Sequence, residues 1–169
     1  MHRKVRIFNA VRRLLLDRDE VCRVFFVLDE FFFKKIPDGE ISVAFLDGKA
    51  MEYLHQKFLD DAFPTDVITF SGDPASSFAG EICVSVDYAE DYVRANGGEF
   101  CEELLLYVVH GWLHLSGVDD KEKSDAKYMR QCEKDALSLL RSNGVNPRFT
   151  VSELISKKTG KNPMAVDNL

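Results

Sequence analysis

His110 and His114 stand four residues apart, Gly117 follows three residues later, and Asp119 and Asp120 come next. On an α-helix of about 3.6 residues per turn, positions i and i+4 project from one face, so two neutral imidazoles at this spacing can reach a single cation. Gly117 tolerates the left-handed backbone that ends many helices and lets the chain swing a carboxylate back toward the rings. Asp120 is the expected third ligand; Asp119 takes its place if the turn is shifted by one residue. The same spacing also suits a buried helix whose histidines are satisfied by backbone or carboxylate hydrogen bonds. The added glycine and acid favour the metal reading.

Metzincin proteases share the pattern H-x3-H-x2-G-x2-(H/D), but they carry a glutamate directly after the first histidine as general base. Here that position is Gly111. A peptidase therefore lacks its base, and no protein residue is assigned as catalytic beyond the metal-ligating set.

The elements that must hold these residues follow from hydrophobic period and turn chemistry. Residues 99–115 are acidic at the start and nearly all apolar afterwards, which predicts a central buried helix with both histidines in its last turns. The negative end of its dipole favours a cation there by a few tenths to ~1 kcal/mol. Strands are expected at 5–9, 41–46, 66–70 and 80–86. Helices are expected over 17–34, capped by Asp17 or Asp19, over 49–60, over 87–95, and from 121 or 124 to 142. Residues 71–77 read as loop. The order of elements predicts a single α+β domain over residues 1–145, with a small mixed sheet of about four strands packed by helices. Residues 146–169 are expected to be a peripheral extension, either a short helix near 151–158 or a mobile tail.

At 169 residues, 46% hydrophobic and 30% charged, the chain has the composition of one ordinary globular domain. The longest apolar run, 104–109, is far short of the ~20 residues a bilayer span needs. The apolar stretch near the N-terminus is interrupted by Asn9, Arg12 and Arg13, so no secretory core forms. Cys22, Cys83, Cys101 and Cys132 are far apart and form no C-x-x-C pair, as expected for reduced thiols in a cytoplasmic protein. The net charge of -6 opposes general nucleic-acid affinity, yet nine Lys/Arg against five Asp/Glu lie within the first 35 residues, which allows a basic face on an acidic body. Phe25, Phe31, Phe32, Phe33 and Trp112 are expected in the core and not as base-stacking platforms.

Three segments in order, FPTDVITF at 63–70, GEICVS at 80–85 and HGWLHLSGVDD at 110–120, resemble the YbeY family, whose pattern is P-T-(N/D)-V-L-S-F, then G-(D/E)-I, then H-G-x-L-H-L-x-G-Y-D-H. The resemblance covers about residues 5–145. It implies a zincin-like fold, one zinc ion per chain on the last motif, and a metal-dependent, single-strand-specific endoribonuclease acting in ribosomal RNA maturation and ribosome quality control. Ribosomal RNA and proteins of the small ribosomal subunit are the implied partners. Two departures from the family bear on the chemistry: the third histidine is Asp120, and the arginine the family usually has five residues before the proline aligns with Leu59. Aspartate also binds zinc, so His110, His114 and Asp120 still leave a position open to water, although a carboxylate makes that water a weaker acid. Leu59 offers no cation to a phosphate, and Lys57 should point to another face of its helix; Arg12 or Arg13 are the alternatives. The competing function is a non-catalytic RNA-binding assembly factor with a structural metal or none.

Overall fold

The computed structural model describes residues 3–59 and 63–152, apart from the side chains of Leu59 and Pro74. Its element order is β1 (Val5–Asn9), β2 (Leu14–Leu16), α1 (Arg18–Phe31), β3 (Glu40–Leu46), α2 (Gly48–Leu59), β4 (Val67–Ser71), β5 (Phe78–Ser85), α3 (Val86–Asn96), α4 (Phe100–Leu115), α5 (Lys123–Ser142) and β6 (Phe149–Val151). The four longer strands form one mixed sheet in the order β1-β3-β5-β4, with β4 antiparallel at the edge and the others parallel. The architecture is the expected single α+β domain, and the segment 71–77 between β4 and β5 contains one 3-10 turn at Pro74–Ser76.

Side-chain alternation divides the sheet into two faces. Ile41, Val43, Phe45, Ile82 and Val84 point to the larger core, shared with α1, α3, α4 and α5. Ala44, Leu46, Ile68 and Cys83 point the other way, where Met51 of α2 covers them. Helix α4 lies centrally in the larger core, with Leu104, Val108, Val109, Trp112 and Leu113 fully buried. Burial also explains the aromatic residues. Phe25, Phe32 and Trp112 are core, as expected, whereas Phe31 and Phe33 flank the end of α1 and are exposed.

Helix α1 begins where its cap demands. The Asp17 carboxylate accepts hydrogen bonds from the amides of Asp19 at 2.9 Å and Glu20 at 3.3 Å. These are orphan donors that no upstream carbonyl can satisfy. Asp17→Ala is expected to lower the unfolding free energy by about 1 kcal/mol, read as a shift in the urea midpoint without a change in slope.

Two short strands escape the sequence pattern. Leu14–Leu16 pairs antiparallel with Phe149–Val151. Val145 and Phe149 are buried in the main core, with the Phe149 ring 5.6 Å from that of Phe45. The segment expected at the periphery is therefore, through Val151, part of the same core. The sequence pattern does not reveal this pairing, because each strand is three residues long and its partner is more than a hundred residues away. The remainder of the expected tail, residues 153–169, lies outside the described residues.

Candidate metal centre

Helix α4 ends in a Schellman motif. Gly117 takes φ of +86°, the Gly117 amide donates to His114 O at 3.0 Å, and the Val118 amide donates to Leu113 O at 3.0 Å. This turn has a second effect. It brings the Val118 carbonyl back to 3.0 Å from His114 Nδ1. The chain then continues so that Asp120 Oδ2 comes to 3.6 Å from His110 Nε2 and 3.9 Å from His114 Nε2. The two Nε2 atoms are 2.9 Å apart.

Hydrogen-bond partners determine which ring nitrogens carry protons. His114 Nδ1 faces a carbonyl, and His110 Nδ1 faces Glu133 Oε1 of α5 at 2.7 Å. Both partners are acceptors, so both Nδ1 atoms donate, and the neutral rings turn their Nε2 lone pairs toward each other. Two lone pairs at this separation repel unless a proton or a cation lies between them. Every separation among the two Nε2 atoms and Asp120 Oδ2 is below about 4 Å, twice a zinc–ligand bond, so one ion can touch all three. The donor set fits a zinc ion. His110, His114 and Asp120 form the cluster able to hold a metal among the described residues.

Asp119 turns elsewhere, accepting from the Asp120 amide at 2.8 Å and facing Lys121. Burial disfavours the charged form of His110, but the Glu133 hydrogen bond, with the negative charges of Asp66, Glu133 and Asp120, outweighs it and raises its pKa. Burial and the neighbouring His110 charge lower that of His114. The pair thus favours one shared charge over two.

Gly111 sits where a protease would hold its base, and its surroundings explain why no side chain is present. A Cβ there would stand 2.4 Å from Ile82 Cγ2 and 3.1 Å from Val67 Cγ2. This face of α4 is pressed against β5 and β4. A glutamate at 111 would meet the sheet.

Several cations of the basic N-terminal third are paired with acids on other elements. Arg3 pairs with Asp29 at 2.6 Å, Lys4 and Arg6 pair with Glu40, and Arg13 pairs with Asp87 and Glu90 of α3. Arg13 is thus occupied at the start of α3, while Arg12 is exposed. Lys57 is exposed and lies against the rings of Tyr53 and Phe58 on α2. The side chain of Leu59 lies outside the described residues.

The sequence reading did not single out Glu133. It lies on the same stripe of α5 as buried Met129, Cys132, Ala136 and Leu140. An acid on an apolar stripe was the available signal, because a buried carboxylate requires a partner.

A family model described as Endoribonuclease YbeY matches residues 19–141. The chain belongs to the YbeY endoribonuclease family. Among curated YbeY relatives, the endoribonuclease YbeY of Porphyromonas gingivalis strain W83 is 39% identical over 103 residues, covering 61% of this chain and 68% of the relative. That of Elusimicrobium minutum is 38% identical over 106 residues, covering 57% and 71%. Among solved structures, the solution structure of TM1509 from Thermotoga maritima superposes with a TM-score of 0.53 at 27% identity, covering 82% of this chain and 93% of that one. Among the described residues no helix is long and apolar enough to cross a membrane.

Proposed function

We propose that this YbeY-family chain is a zinc-dependent endoribonuclease that cuts single-stranded RNA in ribosomal RNA maturation and ribosome quality control, with His110, His114 and Asp120 holding one zinc ion. The observation that carries the reading is the pair of Nε2 atoms 2.9 Å apart on rings whose Nδ1 atoms both face acceptors. RNA as substrate follows from the relatives, which bear the name endoribonuclease. Two imidazoles with one carboxylate suit zinc, whereas magnesium prefers all-oxygen shells.

When bound, zinc would polarise a phosphodiester and activate water. The chain's own residues prepare that role. The imidazoles present Nε2 from a buried helix end, and Asp120, with a side chain 41% exposed, completes the ligand set from the solvent side. Gly111 contributes no base, since its face is closed by the sheet. The free thiols of the described cysteines accord with action in the cytoplasm; small-subunit ribosomal proteins are the class of protein partner that the family resemblance implies.

The purified protein should carry one zinc per chain. Chelation should stop cleavage of a single-stranded RNA, and added zinc should restore it. Cleavage at an unchanged rate by metal-free protein would overturn the reading. A binding-only assembly factor is the second reading, favoured by Leu59 at the position where the family pattern has arginine; it requires RNA binding without cleavage in the zinc-loaded protein.

A further inference from the structure

We infer that Glu133 is a positioning residue for the metal centre: through its hydrogen bond to His110 Nδ1 it fixes the ring's tautomer and aims Nε2 at the site shared with His114 and Asp120. The inference rests on the metal reading above and extends it to a helix that contributes no ligand.

Three observations converge on this carboxylate. Its distance to Nδ1, 2.7 Å, is that of a charge-assisted hydrogen bond, and the side chains of Glu133 and His110 are only 16% and 14% exposed. Water cannot readily replace such a contact. Glu133 also occupies the apolar stripe by which α5 docks onto the core, between Cys132 at 1% and Ala136 at 0% exposure. A carboxylate at such a position carries a desolvation cost unless it is paired, and its partner here is the histidine. Finally, the two rings are held differently. The turn after α4 holds His114 through the Val118 backbone, so no side chain is needed there. His110 has its acceptor from a side chain 23 residues away.

A carboxylate behind a ligating imidazole orients the ring and raises the basicity of the opposite nitrogen, and losing such a partner typically costs ~10–100-fold in metal affinity. The test is zinc affinity of the full chain, measured by competition with a chromophoric chelator, for wild type, Glu133→Ala and Glu133→Gln. The cobalt-substituted forms are compared by their visible absorption. Alanine removes the acceptor and should weaken zinc binding by ~10–100-fold and alter the cobalt bands. Glutamine keeps an acceptor oxygen but not the charge, so its affinity should fall between the two and its cobalt bands should return toward wild type. Melting of the metal-free forms checks that each variant is folded, and the glutamine variant carries the test if alanine disrupts packing. Zinc bound as tightly by a folded Glu133→Ala as by wild type, with the same cobalt spectrum, overturns the role of Glu133 alone. A wild type that binds no zinc overturns the metal reading itself.

Discussion

His114→Ala should reduce RNA cleavage to the level of metal-free protein, a loss well beyond a hundredfold, while RNA binding stays close to wild type. The size follows by comparison. Outer partners of metal ligands are alone worth ~10–100-fold, so deleting a ligand, with its Nε2 at the meeting point of the site, must cost more. The fold should tolerate the change. The His114 side chain is 24% exposed and sits in the last turn of α4, where its loss opens a space toward solvent. Val118 O loses the hydrogen bond from the ring, but the Schellman bonds that end the helix are backbone bonds and remain. Metal content, single-turnover cleavage and RNA binding by fluorescence anisotropy, measured on the same preparation, separate the outcomes. A variant that has lost its metal yet cuts RNA at the wild-type rate would exclude the hydrolytic role of this centre.

The second large effect is on stability, and its sign is informative. Helix propensity alone makes Gly111→Ala stabilising by up to about 1 kcal/mol, because glycine is the poorest ordinary residue in a helix interior. Packing argues the opposite. The new Cβ would come within 2.4 Å of Ile82 Cγ2, and this methyl belongs to a β-branched side chain with little freedom to move. Overpacking of this kind typically costs ~1–3 kcal/mol, so alanine should destabilise on balance, and Gly111→Val should do so by roughly 3 kcal/mol or more, since valine adds volume and gains little helix propensity. For a chain of this size each kcal/mol corresponds to ~2–4 °C, so the valine variant should melt about ten degrees lower. A rise in melting temperature for Gly111→Ala would show that α4 can lift from the sheet at no cost.

The clustering of His110, His114 and Asp120 was legible because its geometry is local. The two histidines, the terminating glycine and the returning aspartate lie within eleven residues, and helix geometry relates them without knowledge of the rest of the fold. The main strands and helices were legible for the same reason, each carrying its own period and punctuation. What depended on distant partners was not. Leu14–Leu16 and Phe149–Val151 read as a short apolar run and a tail until they are paired. The positive balance of the first 35 residues suggested a basic face, yet several of those cations meet acids on other elements, such as Asp87 and Glu90 of α3 beside Arg13. Glu133 shows both cases at once. Its place on an apolar stripe could be read from the sequence, but its partner on α4 could be identified only once the two helices were docked.

The β2–β6 ladder also has a consequence for the order of events during synthesis. Leu14–Leu16 leaves the ribosome early, but its partner Phe149–Val151 is made more than a hundred residues later. At ~5–20 residues per second this interval is on the order of ten seconds. Until then Phe45 lacks the aromatic ring that covers it, and the long loop between the two strands must close before the ladder contributes. The helix that carries both histidines is complete at Leu115, 34 residues before Phe149 is made, so a ribosome stalled between the two would hold a core still open at Phe45.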